Sequence, residues 1–192
     1  MPQTRVLADR ILSKEGAAAD VVRVAAGNVL LILCAHIAVP LPGTPVPITL
    51  QTFGVLFVAA LLGSRRGTVT LTLYLLEGMA GLPVFQPYGA PGALRFLGPT
   101  AGYLLAYPPA AFLTGWLVEC GAGKSIARLS GALLAGEFLI FLGGCTWLAA
   151  ATRLGWGSAV QQGALPFVPG EIIKMAVLVG ALRSLELAGK KA

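Results

Sequence analysis

A chain of 192 residues with 56% hydrophobic and only 11% charged side chains has too little polar surface to cover its apolar content in water. Its net charge of +6 comes from basic residues too scattered to form a nucleic-acid face, and its three cysteines (Cys34, Cys120, Cys145) make neither a CxxC pair nor a disulfide framework. An ordinary cytosolic protein, a disordered chain and a disulfide-built scaffold are excluded, which leaves an all-α integral membrane protein.

The first twenty residues carry Arg5, Asp9, Arg10, Lys14, Glu15 and Asp20, too polar and too long for the start of a signal peptide. Within them Val6, Leu7, Ile11 and Leu12 fit one apolar stripe lying on a membrane surface, or simply a frayed polar tail. Six apolar segments follow, at 21–39, 48–63, 68–82, 100–120, 126–151 and 170–187, each near the roughly 20 residues a spanning helix needs. They form a single membrane domain over 1–192 with six transmembrane helices.

Orientation follows from where Lys and Arg fall, because cytoplasmic flanks carry the excess. With the N-terminus inside, the inner flanks receive Arg5, Arg10, Lys14, Arg23, Arg65, Arg66, Lys124, Arg128, Arg183, Lys190 and Lys191. The outer loops receive only Arg95 and Arg153. Both termini are therefore expected on the cytoplasmic side.

The outer connections are long and stiff. Four prolines fall in 40–47, four more in 83–99 beside Gly89, Gly92 and Gly98, and 153–169 is Gly-rich with Trp156 and Phe167. Proline fixes φ and removes a donor, so such loops suit an ordered extracellular cover over a ligand pocket in the outer half. Pro108 and Pro109 should kink the fourth span, and Gly143 and Gly144 should loosen the fifth.

Charges inside spans need a reason, since each costs roughly 2.5–3.5 kcal/mol near the bilayer centre. Glu171 and Lys174 stand i, i+3 at the start of the sixth span, on one helix face beneath the outer loops. As a pair they lower each other's desolvation cost and offer an acceptor and a donor to a polar ligand. Glu77 and Glu137, in the third and fifth spans, read as bundle hydrogen bonders or as proton relays, and His36 and Asn28 as core polar groups.

Gly121-Ala122-Gly123-Lys124-Ser125 ends like a phosphate-binding loop, but Val118 stands where the leading glycine belongs and no strand precedes it. No HExxH or GxSxG occurs, and a single histidine leaves little for a catalytic or metal centre. Neither an ATPase nor another enzyme is expected, nor a cofactor or metal.

Four stretches carry a resemblance: Pro45-Val46-Pro47-Ile48-Thr49-Leu50-Gln51-Thr52; Gly81-Leu82-Pro83-Val84-Phe85; Leu97-Gly98-Pro99-Thr100-Ala101-Gly102-Tyr103; and Pro166-Phe167-Val168-Pro169-Gly170-Glu171-Ile172-Ile173-Lys174. In their order and topological places they resemble the BioY family, the biotin-binding S components of energy-coupling factor (ECF) transporters, over roughly 21–187. The resemblance implies a multi-pass protein of a bacterial-type cell membrane that captures biotin from outside with high affinity. It also implies a membrane coupling protein and two cytoplasmic ATPases as partners, with a homo-oligomer as a further option. The family's acid and lysine, one helical turn apart, map onto Glu171 and Lys174, with Glu here where the family has Asp. Thr49, Gln51 and Tyr103 fall in its pocket and lid region, and Ala101 replaces a glycine of its span-four signature.

Biotin has a polar ureido ring, an apolar bicycle and a carboxylate, which suits an apolar concave site with a few fixed polar groups. Phe85, Tyr88, Trp156 and Phe167 are candidate apolar walls. The competing reading is a self-sufficient proton-coupled carrier of a small vitamin-like molecule, with Glu137 or Glu77 as relay.

Overall fold

The structure, a computed structural model, describes residues 16–153 and 155–189. Val6, Leu7, Ile11 and Leu12, with Arg5, Arg10, Lys14, Lys190 and Lys191, lie outside the described residues.

Helix α1 runs Ala17–His36, with Asp20 in its first turn, where the helix dipole favours an acid. The chain then straightens into β1, Ala38–Val39, which pairs antiparallel with β2, Ile48–Thr49. This short ladder closes the proline-rich connection 40–47 into a loop, and Thr44 Oγ1 pins that loop by donating to Gln162 O at 2.8 Å. Thr49 and Gln51 are thereby held at the mouth of the next helix.

Helix α2, Gln51–Met79, is not one straight rod. Gly63 has φ 83° and ψ −179°, a conformation essentially reserved for glycine, and the chain reverses there. Gln51 Nε2 donates to Tyr74 OH at 2.7 Å. In a straight helix those residues would be about 35 Å apart at 1.5 Å per residue. The two arms, 51–62 and 64–79, therefore lie side by side, overlapping the segments 48–63 and 68–82 with a one-residue reversal between them. Ser64 donates to Glu119 through both its backbone N–H and its hydroxyl, each at 2.8 Å, which caps the second arm.

Helix α3, Ala101–Glu119, continues through Pro108 and Pro109 and packs most heavily on α2 and on α4, Ile126–Thr152. Ser125 caps α4 by accepting from Arg128 N–H at 3.2 Å. Gly143 and Gly144, expected to loosen this helix, do not interrupt it. Their lack of a side chain serves close packing instead: a Cβ on Gly144 would lie 2.1 Å from the Tyr103 ring, and one on Gly143 2.8 Å from Ala106 Cβ.

The connection 153–169 contains a helix absent from the sequence expectation, α5, Trp156–Gly163, followed by a 3-10 turn at Leu165–Phe167. Helix α6, Val168–Gly189, completes the described chain.

Among the described residues, four stretches are long and apolar enough to cross a membrane: α1, α2, α4 and the run Trp156–Ala188 that joins α5 to α6. Large apolar side chains such as Val21, Leu33, Phe138, Ile172 and Val177 are exposed on their outer faces. Such a mantle is costly in water and natural in lipid. The chain is an all-helical membrane protein.

Candidate functional site

The proline-rich and glycine-rich connections converge over the end of the bundle where α2 begins and α6 begins. Beneath them lies a narrow cleft with about 550 Å³ of empty space, open mouth included. Its walls come from β2 and the start of α2 (Thr49, Gln51, Thr52), from the 80–100 connection (Phe85, Gln86, Arg95), from α3 (Tyr103, Tyr107), and from Phe141, Phe167 and Glu171.

Glu171 sits in the first turn of α6, again at a helix N-terminus that favours an acid. Lys174 Nζ donates to Glu171 Oε1 at 2.6 Å, with both side chains largely buried. The same ammonium donates to Thr49 O at 2.6 Å and to Thr52 Oγ1 at 3.2 Å, while the Thr52 hydroxyl donates to Glu171 Oε2 at 2.9 Å. Thr49, Thr52, Glu171 and Lys174 thus form one closed cluster. Glu171 and Thr52 face the cleft. Lys174 is not among its lining residues and stands behind them.

Gln51 is buried and fixed: its backbone N–H donates to Thr49 Oγ1 at 3.2 Å and its amide to Tyr74 OH, which in turn donates to Val84 O at 3.0 Å. The chain Gln51–Tyr74–Val84 ties the mouth of α2 to the lid. Tyr103 donates to Gly163 O at 2.7 Å, so the start of α3 holds the end of α5.

The lid is organised around Arg95, in a 3-10 turn at Gly92–Leu97. Only 6% exposed, Arg95 donates from Nη2 to Gln86 O at 2.8 Å and from Nη1 to Tyr88 O, and its guanidinium lies 5.7 Å from the centre of the Phe85 ring. Its Nε has no hydrogen-bond partner. No carboxylate pairs with this buried cation among the described residues, and burial pulls its pKa below the ordinary guanidinium value. Phe85, which stacks edge-on with Tyr74 at 5.3 Å and with Phe96 at 5.8 Å, fits only because residue 78 is glycine: a Cβ there would lie 2.0 Å from the Phe85 ring.

Of the residues expected from sequence, Glu171, Thr49, Gln51, Tyr103, Phe85 and Phe167 line the cleft, with Lys174 behind. Tyr88 and Trp156 are 44% and 50% exposed and lie outside its lining. Tyr88 nonetheless contributes through its backbone, as the carbonyl that holds Arg95. Sequence reasoning missed Arg95, Gln86, Thr52, Tyr107 and Phe141. Arg95 gave one signal: it and Arg153 are the two basic residues assigned to the outer connections.

Glu77 accepts from Asn28 Nδ2 at 2.8 Å, linking α1 to α2. Glu137, 7% exposed, has one carboxylate oxygen without a partner and lines a second, more open groove between α4 and α6 of about 1090 Å³. Phe141 and Glu171 line both spaces.

The model described as "BioY family" matches residues 5–191. The "Biotin transporter BioY" of Rhizobium etli is 36% identical over 140 residues, 69% of this chain and 74% of that protein. The protein of the same name from Thermotoga maritima is 37% identical over 158 residues, 82% of this chain and 89% of its own length. Among solved structures, the "S-component for biotin from an ECF-type ABC transporter" superposes with a TM-score of 0.78 at 28% identity, covering 90% of this chain and 94% of that one.

Proposed function

The chain belongs to the BioY family, a family of transporter components and not of enzymes, and we propose that it captures biotin for uptake as the S component of an ECF-type transporter. The observation that carries this reading is a single narrow cleft holding two different kinds of polar recognition. One wall offers the Thr52–Glu171–Lys174 cluster, with acceptor and donor groups suited to a ureido ring. The lid offers a buried guanidinium with an unpartnered Nε, suited to a carboxylate. Phe85, Tyr103, Phe141 and Phe167 supply apolar walls between them.

In this reading a ureido N–H of biotin donates to Glu171, its carbonyl accepts from the Lys174 side of the cluster, and the valerate carboxylate pairs with Arg95. Desolvation strengthens both contacts, because each charged group already sits out of water. The membrane arrangement we propose has six passes, since the two arms of α2 each cross once. Both termini face the cytoplasm and the cleft opens outward. The membrane is the plasma membrane, and a membrane coupling protein with two cytoplasmic ATPases supplies the energy.

The test is binding of labelled biotin to the purified, detergent-solubilised chain, beside Lys174→Ala. Tight binding that the substitution abolishes supports the reading. A well-folded wild type that binds no biotin overturns it.

A further inference from the structure

Lys174 has three N–H donors, and in this structure all three are taken: by Thr49 O, Thr52 Oγ1 and Glu171 Oε1. Glu171 accepts on both carboxylate oxygens, from Lys174 and from Thr52. The pair expected to hold the ligand is therefore already hydrogen-bonded by the protein's own groups. A ligand that accepts from Lys174 must replace one of its present partners, because the ammonium has no donor left, whereas each Glu171 oxygen keeps a lone pair.

Thr52 is the partner that geometry makes replaceable. The 2.6 Å bond to Thr49 O is short and its acceptor is backbone, fixed by the β1–β2 ladder. The 2.6 Å bond to Glu171 is an ion pair within one helix turn. The bond to Thr52 is the longest of the three, at 3.2 Å, and runs to a hydroxyl that turns about one side-chain torsion. Thr52 also lies between the cleft, which it lines, and Lys174, which does not line it.

The hydroxyl does two things at once: it donates to Glu171 Oε2 and accepts from Lys174 Nζ. A cyclic urea edge presents the same pair of functions side by side, an N–H that donates and a C=O that accepts. We infer that Thr52 is a placeholder, a resident hydroxyl that occupies the ureido position's hydrogen bonds in the empty protein, keeps Glu171 and Lys174 in ligand-ready geometry, and gives way when the ligand binds. The inference rests on the biotin reading above and deepens it: Thr52 is a positioning residue that sets affinity by competing with the ligand.

This role has an unusual sign. A residue that touches the ligand weakens binding when truncated, and one that only fills space leaves it unchanged. A placeholder strengthens binding when its hydroxyl is removed, because the empty site is then left with an unsatisfied acceptor and donor that the ligand repairs. The same change destabilises the empty protein.

The experiment compares wild type, Thr52→Val, which is nearly isosteric and lacks the hydroxyl, and Thr52→Ser, which keeps it. Melting temperature in detergent without ligand and the Kd for labelled biotin are measured for each. Thr52→Val should melt lower than wild type when empty, bind biotin about three- to tenfold more tightly, and show a larger melting shift on adding biotin. Thr52→Ser should match wild type in all three. Tight wild-type binding with Thr52→Val equal to or weaker than wild type overturns the placeholder alone. Absence of biotin binding by a folded wild type overturns the proposed function itself. A Thr52→Val protein too unstable to purify empty is prepared with biotin present, and its biotin dissociation rate is compared with that of wild type. Slower dissociation supports the inference, and equal or faster dissociation overturns it.

Discussion

The two ends of the bundle put buried charge to different uses. Where α2 reverses, the carboxylates are paired: both oxygens of Glu119 accept from Ser64, and Asp20 accepts from Arg23 and Arg66 at 2.9 Å each. Backbone approaches there are as tight as the chain allows, with a Cβ on Gly115 falling 2.4 Å from Gly63 C and Ser64 N. At the cleft end the buried guanidinium of Arg95 has one N–H facing no acceptor, and the Thr52 cluster is closed through a hydroxyl that can turn. Paired carboxylates with glycine-tight packing build a joint. Incomplete or exchangeable hydrogen bonding around empty space builds a binding site.

The largest effect that separates the two ends is expected at Arg95. Arg95→Met keeps the length and apolar stem but removes the charge, and should weaken biotin binding about 100-fold or more, the scale of a buried charged partner lost from its complement. Biotin methyl ester should bind wild type comparably poorly, with no further loss in Arg95→Met, because both changes remove the same ion pair. Full affinity in Arg95→Met would remove Arg95 from the binding site.

At the joint the expected damage is to stability. Gly63→Ala places a Cβ on a backbone at φ 83°, ψ −179°, and should cost about 1–3 kcal/mol of folding free energy. Gly115→Ala should be at least as severe, since its neighbours are backbone atoms that cannot turn aside. Thermal unfolding in detergent checks both, and the folded fraction should bind biotin with unchanged Kd. Next in size are Lys174→Ala and Glu171→Ala, each expected to lose at least ~1.5 kcal/mol of binding, the scale of a charge-assisted hydrogen bond. Titration with labelled biotin decides it, and wild-type affinity in both would refute the site.

How much of this was legible in the sequence follows the same division. The i, i+3 pair Glu171 and Lys174 was readable because helical periodicity alone puts both on one face. Five helices lie over the six expected spans because long apolar runs have few alternatives in lipid, and the two spans merged in α2 part at the glycine that ends the first. Arg95 was not readable as a site residue: its position depends on the carbonyls of Gln86 and Tyr88, set by a lid with no repeating pattern. Helix α5 escaped because eight residues carry too little periodic signal, and its end is held from afar by Tyr103. Thr52 stood in plain view in the Thr49-Leu50-Gln51-Thr52 run, yet nothing local says that its hydroxyl would meet residues 119 and 122 positions away.

Glu137 tests whether the division is complete, because it shares a groove with Glu171 and yet does not line the cleft. It is buried in mid-helix with one unpartnered oxygen, like a site residue, but it lines the groove between α4 and α6 and not the cleft. Glu137→Gln keeps the volume and removes the ability to carry charge, exchanging one acceptor oxygen for an NH2 donor, and binding measured by titration should stay within about twofold of wild type, some 0.4 kcal/mol. Uptake into proteoliposomes that hold the chain with its coupling protein, ATPases and ATP should then be equally indifferent to an imposed pH gradient in both proteins. A gradient-dependent uptake in wild type that vanishes in Glu137→Gln would instead make the groove part of the transport path. It would favour a self-sufficient proton-coupled carrier over a subunit driven by ATPases. The shared walls Phe141 and Glu171 are where such a path would have to leave the cleft.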